Sequence, residues 1–289
     1  LAFAEAGRGK SMGIIFLNPS LRTRISTQRA AQNLGMHTVV MNIDGEGWKL
    51  EFEDGTVMDS DKAEHIKDAA GVMGRYFDII GIRSFPKLAN RQEDYSDQVL
   101  EQFKKYTGIP VVSLESAIRH PLQSLADYLT IEETKTVDRP KVVLTWVPHP
   151  RPLPQAVANS FLEWIGRADV ELVVTHPEGY ELAPEFAKNA QLEYNQQKAL
   201  EGANFVYAKN WSSWSDYGRI LRTDLEWMVT SEKMALARNA RFMHCLPVRR
   251  NVVVADNVLD SPGSLVLQQA ENRLYAAQAV LKTILEDIQ

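Results

Sequence analysis

Phe16 to Thr27 reads FLNPSLRTRIST, which sets Ser20, Arg22, Thr23, Arg24, Ser26 and Thr27 between an apolar run, MGIIF, and the start of a helical pattern. If Ser20 caps a helix that runs to Leu34 and stops at Gly35, the free N–H groups of its first turn and the positive end of its dipole face the preceding loop. Arg22 and Arg24 add charge, and Ser20 and Thr23 add hydroxyl donors. The junction is therefore suited to holding a phosphate by backbone and side chain together. A solvated basic first turn is the plainer alternative, but it would set two cations against the dipole. The chain has neither a Walker sequence nor G-x-G-x-x-G, which disfavours a nucleotide as the carrier of that phosphate.

The elements that must position this junction are legible as short β-rich runs alternating with amphipathic ones. MGIIFL, HTVVMNI, FDIIGIRS and IPVVSLE come first, then KVVLTWV, VELVVTHP, NFVYAK and RFMHCLP. Strand after helix after strand is the pattern of parallel sheets with covered faces, so the expected fold class is α/β, with two domains that each carry a central parallel sheet flanked by helices. Between the two sets, Pro121 suits a first helical position, Leu122, Leu125, Leu129 and Ile131 keep helical spacing, and Asp138 to Pro140 ends the run. This reads as a linking helix. A last helix, Gln268 to Asp287, is expected to fold back on the first domain, which divides the chain into 1–136, 137–267 and 268–289. VPHPRPLPQAV carries Pro148, Pro150, Pro152 and Pro154 directly after a strand. It predicts an irregular, rigid loop where open α/β sheets bind ligands.

Composition narrows the class. The 289 residues are 45% hydrophobic with a formal charge of −5, which fits a soluble two-domain protein and argues against a nucleic-acid partner. No signal peptide, lipidation site or spanning run is evident, and the single cysteine, Cys245, has no internal disulfide partner; a reducing cytoplasm fits, and no membrane association is expected. The chain opens without Met, so residues of the native protein are expected to precede Leu1.

Three motifs carry a family resemblance. SLRTR at Ser20 to Arg24 resembles the carbamoyl-phosphate loop of the aspartate and ornithine carbamoyltransferases, HPLQ at His120 to Gln123 resembles their second signature, and HCLP at His244 to Pro247 resembles the third, of the ornithine type. EGWKLEF, GTVMDSDKAEH, GRYFDIIGIRSFPK, YAKNW, HCLPVRRNV and AENR are similar to the acylornithine carbamoyltransferases of arginine biosynthesis, and the Ser-Met-Gly loop that precedes the Cys-Leu-Pro segment of the ordinary ornithine enzymes is not found before HCLP.

The resemblance implies a carbamoyl-phosphate-binding domain followed by an acylornithine-binding domain, no metal and no organic cofactor. It implies that Ser20, Leu21, Arg22 and Thr23 hold the phosphate, that Arg83, His120, Gln123 and Arg273 complete the cage, and that Arg83, His120 and Cys245 are the catalytic positions. Cys245 is expected to lie against substrate without forming a covalent intermediate, and the carbonyl of Leu246 to receive carbamoyl or amine hydrogens. For the acylated amino acid, Glu115 is expected to accept the amide N–H, Lys209 to pair with the α-carboxylate, Arg249 to face the acyl group, and His149 to lie near substrate. Arg250 reads as a surface or structural charge. Trp48 is expected to reach the neighbouring subunit's carbamoyl-phosphate site in a homotrimer with shared active sites, and the proline-rich loop to be threaded by a later segment as a knot. Singly, these residues have ordinary readings: a strand-end arginine is usually solvated, and a lone cysteine is usually a small buried residue.

Ala63 in SDKAEH stands where the resemblance places glutamate in N-acetyl enzymes and a small residue or proline in N-succinyl ones. Val253 stands where the N-acetyl enzymes have lysine. A glutamate would fill space and repel a succinyl carboxylate, while alanine does neither. Both positions favour N-succinyl-L-ornithine as the acceptor. The alternatives at this level are N-acetyl-L-ornithine, a catalytically silent ligand-binding relative, and a periplasmic-type binding module. The silent reading predicts gaps in the phosphate cage, and the sequence has none.

Overall fold

The apolar runs fold as parallel strands. The computed structural model describes residues 3–43, 48–237 and 239–288, and these divide into two compact units. The first holds residues up to Lys87, Gln92–Leu122 and the chain from Arg273 onward; the second holds Leu88–Arg91 and Gln123–Asn272. Among the described residues no helix is long and apolar enough to cross a membrane.

In the first unit β1 (Ser11–Phe16), β2 (His37–Asn42), β5 (Ile79–Arg83) and β6 (Val111–Glu115) form a sheet in the order β2-β1-β5-β6, every pair parallel. The period-2 alternation of β1 divides its side chains between two cores. Met12, Ile14 and Phe16 pack with α1 (Arg22–Asn33) and with Ala277, Leu281 and Leu285 of the last helix, whereas Ile15 packs with Ile66, Ala69 and Ala70 of α2 (Ile66–Tyr76) and with Phe103. Each aliphatic side chain of this size contributes about 1.5–3 kcal/mol on burial, so both faces of the sheet are held. A small parallel pair, β3 (Leu50–Glu51) with β4 (Glu64–His65), lies between β2 and α2 in sequence.

The N-terminus of α1 differs from expectation by one residue. The helix begins at Arg22 with Leu21 in the capping position, but Ser20 Oγ accepts the N–H of Thr23 at 3.3 Å, so the serine still satisfies an otherwise open donor. The buried face of α1 is Thr23, Thr27, Ala30 and Ala31, a helical spacing. Gly35 stops it at φ +83°, and a Cβ there would come 2.4 Å from the carbonyl oxygen of Ala4, so only glycine fits.

In the second unit β7 (Lys141–Trp146), β8 (Glu171–Thr175), β9 (Gln191–Glu193), β10 (Phe205–Lys209) and β11 (Arg241–Met243) form a parallel sheet in the order β11-β10-β7-β8-β9. α5 (Pro121–Thr134) begins at the expected proline. The last helix, α11, runs Val266–Asp287, two residues longer at its start than read from the sequence. The segment after β7 is irregular up to α6 (Ala156–Ile165). Its prolines bring no N–H groups, so other groups bond to its carbonyls: Asn210 Nδ2 donates to Val147 O at 2.7 Å and Ser212 N to Leu153 O at 2.9 Å.

Candidate active site

Nearly every residue singled out for chemistry follows the C-terminal end of a parallel strand, the side on which open α/β sheets bind ligands. In the first unit, SLRTR follows β1, Arg83 ends β5 and Glu115 ends β6. Arg83, Glu115 and His120 are each at least nine-tenths buried. Arg83 Nε donates to Glu115 Oε2 at 3.1 Å, and its Nη1 donates to the carbonyls of Asn18 at 2.9 Å and Pro19 at 2.7 Å. The guanidinium is thereby bolted to the loop that leads into α1, and it lies over the Phe85 ring at 4.1 Å. Burial lowers the Arg83 pKa from its ordinary value, and the adjacent Glu115 opposes that shift. None of these hydrogen bonds uses Nη2. His120 Nε2 lies 3.5 Å from the same Glu115 oxygen.

Arg273, on α11, is buried and donates from Nη2 to Thr23 Oγ1 at 2.6 Å, so a contact spanning almost the whole chain sets the last helix against the first turn of α1. Arg22 is half-buried at the helix start, while Leu21 and Arg24 are exposed. The structure thus groups Arg83, Glu115 and His120, and separately joins Thr23 to Arg273. Glu115 has a cation as its close partner, which the sequence reading did not foresee. The contribution of Asn18 was also missed: its carbonyl holds Arg83 and its Oδ1 accepts the N–H of Phe85 at 2.6 Å. An Asn-Pro pair ahead of the capping serine was the available signal.

Trp48 is 53% exposed, and its indole N–H donates to Glu64 Oε2 at 2.9 Å. The glycines before it, Gly45 and Gly47, lie outside the described residues. Ala63 is also exposed, tied by its N–H to the Lys49 carbonyl at 2.9 Å; it precedes β4 and is not part of α2. Trp48 and Ala63 therefore flank the same two-stranded ribbon.

The second unit assembles another set. Arg249 Nε donates to His149 Nε2 at 3.1 Å, and His149 Nδ1 lies 2.8 Å from the Arg151 carbonyl. A guanidinium only donates, so Nε2 keeps its lone pair toward the arginine, while Nδ1 also lies 3.1 Å from the Arg151 N–H. Burial first, then the positive charges of Arg249, Lys209 and Arg151, lower the His149 pKa. Lys209, half-buried at the end of β10, belongs to this positive cluster. Such a group suits an anionic ligand. Cys245 is a buried free thiol. The Leu246 N–H donates to His244 Nδ1 at 2.9 Å, and Leu246 itself sits at φ +52°, a strained conformation for a branched side chain. Gln123 is 1% exposed on the first turn of α5.

Two neighbours of Arg249 behave differently. Arg250 is a structural surface charge, as expected, bonding Asp256 and both oxygens of Asp260. Val253 is buried among Val147, Val229, Phe242 and Val254. Its apolar surroundings alone explain a valine, so it says less about the acyl group than the sequence suggested.

With this geometry in view, the similarities to known proteins are specific. Residues 3–133 match the carbamoyl-P binding domain, and residues 154–284 the Asp/Orn binding domain, of the aspartate/ornithine carbamoyltransferases. An N-succinylornithine carbamoyltransferase from Bacteroides fragilis (strain 638R) is 56% identical over 99% of this chain and 91% of its own length. An N-acetylornithine carbamoyltransferase from Xanthomonas axonopodis pv. citri (strain 306) is 40% identical over 96% of this chain and 87% of its own. Among solved structures, an N-acetyl-L-ornithine transcarbamylase variant complexed with PALAO superposes with a TM-score of 0.93 at 39% identity, covering 98% of this chain and 91% of that one. A glutamate-to-valine variant complexed with carbamyl phosphate and N-succinyl-L-norvaline gives 0.91 at 40% identity, covering 97% and 90%. Two matching domains in order, near-complete coverage and the same fold leave one conclusion: the chain belongs to the aspartate/ornithine carbamoyltransferase family.

Proposed function

We propose that this carbamoyltransferase moves the carbamoyl group of carbamoyl phosphate to the terminal amine of N-succinyl-L-ornithine, giving N-succinyl-L-citrulline and phosphate in arginine biosynthesis. The observation that carries the choice of acceptor is the 56% identity to N-succinylornithine carbamoyltransferases over 99% of the chain, against 40% to an N-acetylornithine enzyme. The amine lone pair attacks the carbamoyl carbon, a tetrahedral intermediate forms, and the C–O bond to phosphate breaks as the amine loses a proton. The work left to the protein is orientation and the stabilisation of negative charge. Ser20, Leu21, Arg22, Thr23, Arg83, His120, Gln123 and Arg273 are assigned to carbamoyl phosphate, with Arg22, Arg83 and Arg273 neutralising the departing dianion. Glu115, His149, Lys209, Leu246 and Arg249 are assigned to the acylornithine, and Cys245 to positioning. The grouping of Arg249, His149 and Lys209 supports an acceptor with more than one carboxylate. Carbamoyl transfer measured side by side with ornithine, N-acetylornithine and N-succinylornithine tests the reading, and a preference for either of the first two would overturn it.

The reading includes a cytoplasmic homotrimer in which Trp48 completes a neighbour's site. Its support is an indole left half-exposed, whose N–H donates to Glu64, which is how interface aromatics are presented. Trp48→Ala is expected to lower kcat/KM roughly tenfold or more with little change in unfolding temperature, because the side chain makes little of the subunit's own core. Full activity of the variant, or of a verified monomer, would end the shared-site idea.

Acyl selectivity is assigned to Ala63. Variants of an N-acetyl-L-ornithine transcarbamylase in which a glutamate becomes valine, alanine, proline or serine are complexed with N-succinyl-L-norvaline, and we assign Ala63 to the position of that glutamate. Ala63→Glu should place a carboxylate against the succinyl carboxylate. The like-charge term is on the order of a few kcal/mol at about 4 Å in a partly solvated pocket, so use of N-succinylornithine should fall by about tenfold or more. N-acetylornithine, uncharged at its acyl group, should suffer far less. Undiminished activity on N-succinylornithine would remove Ala63 from the acyl site.

A further inference from the structure

One buried carboxylate gathers the polar groups of α5, β10 and α11. Asp127 is fully buried on α5, and its Oδ1 accepts from Gln123 Nε2 at 2.7 Å and from Gln269 Nε2 at 2.7 Å. Gln269 in turn offers its carbonyl to the N–H of His244 at 2.9 Å, at the start of the HCLP segment. The Tyr207 hydroxyl lies beside Asp127 and Cys245; burial, followed by the charge of Asp127, pushes its pKa well up, so it stays a protonated phenol. All of these residues belong to the second unit.

Primary amides have two unlike ends, and what each faces decides which way it turns. An oxygen that accepts two hydrogen bonds has nothing to donate, so Asp127 Oδ1 selects the NH2 end of both glutamines. Their carbonyl ends are then turned away. That of Gln269 finds the His244 N–H, whereas Gln123 Oε1 is buried with no hydrogen-bond partner. A buried acceptor left unmatched is destabilising, a cost that a bound ligand with an N–H would remove.

We infer that Asp127 is a positioning residue that fixes the amide of Gln123, so that this glutamine offers substrate an acceptor and not a donor. A phosphate dianion needs donors, so within the carbamoyl-phosphate site Gln123 matches the carbamoyl N–H groups and not the phosphate oxygens. Asp127 sits one helical turn after Gln123, the i, i+4 spacing that lets the two meet on one helix face.

The inference rests on the assignment of Gln123 to carbamoyl phosphate, and a double-mutant cycle separates the two. Gln123→Ala, Asp127→Asn and the double variant are compared in steady-state kinetics with carbamoyl phosphate varied at saturating N-succinylornithine, with thermal unfolding recorded for each. Asparagine supplies an NH2 where the carboxylate supplied only acceptors, so the Gln123 amide is free to turn over. The KM for carbamoyl phosphate should rise about tenfold in Asp127→Asn, and the same substitution should change it little once Gln123 is alanine. If Gln123→Ala has no effect on that KM, the assignment of Gln123 fails and the inference with it. If Gln123→Ala impairs binding but the two effects multiply independently, Gln123 stands and Asp127 does not act through it. Should Asp127→Asn not fold, Asp127→Ser removes the fixed acceptor without adding volume and completes the same cycle.

Discussion

An Arg83→Met enzyme is expected to lose carbamoyl transfer and about 3–5 kcal/mol of folding stability, the usual result of removing one partner from a buried ion pair. Three acceptors lose their donor at once: Glu115 Oε2 and the carbonyls of Asn18 and Pro19. Glu115 is 6% exposed, so water compensates poorly and the carboxyl is expected to take up a proton instead. Methionine restores the bulk of the side chain, so a cavity contributes little to the loss. Denaturant unfolding of the variant measures the stability term and steady-state kinetics the chemical one. Adding Glu115→Gln should recover part of the stability, because the amide tolerates burial without a cation, yet recover no activity, because no guanidinium remains to meet the leaving phosphate. An Arg83→Met protein that unfolds at the parent's denaturant concentration would show that the ion pair is not what holds the loop after β1. Recovery of activity in the double variant would show that Arg83 serves the fold alone.

This ion pair marks where the sequence stops being readable. The strands on either side of it were legible, because an apolar run such as FDIIGIR between polar segments leaves few other ways to bury both faces; β2, β5 to β8, β10 and β11 lie within the runs read from the sequence, and β1 begins one residue before its run. The ribbon of β3 and β4 and the three residues of β9 were not, since two or three residues carry no period to detect. That Ser20 serves the first turn of α1 was legible from residue type, though Leu21 takes the capping position one residue later, and the termination at Gly35 was legible from its conformational freedom. Pairings between elements were not. Arg83 meets Glu115 because β5 and β6 are adjacent and in parallel register with a shift at their last residues, and Thr23 meets Arg273 because the last helix packs on the face that α1 also covers. Both facts belong to topology, which no local pattern encodes. Gln123 was found through HPLQ, while Asp127, which holds it, shares its helix face but carries no motif of its own in the reading. The fold is thus read from burial and the site residues from motifs, but the hydrogen bonds that orient them come only from the assembled unit.

Replacing Arg22 with alanine should separate ligand binding from folding in the opposite way to Arg83. Arg22 is the first residue of α1, half-buried, where its charge works against the helix dipole. In the free protein its removal should cost little and could return a few tenths of a kcal/mol, up to about 1 kcal/mol. In the complex the balance reverses. A charge-assisted hydrogen bond to phosphate contributes about 1.5–3 kcal/mol, so the affinity for carbamoyl phosphate should fall by roughly ten- to a hundredfold. Thermal unfolding with and without carbamoyl phosphate, or with inorganic phosphate as the simpler anion, reads both quantities in one experiment, since a ligand that binds only the folded state raises the midpoint by an amount that grows with the logarithm of its concentration relative to Kd. The expected pattern is an unchanged or slightly raised midpoint for the free variant and a much smaller rise on adding either anion. A free variant that unfolds well below the parent would make Arg22 a structural residue, and an unchanged response to both anions would remove SLRTR from the phosphate site. Both parts of the pattern together are what a cation held against a helix N-terminus for the sake of an anionic substrate requires.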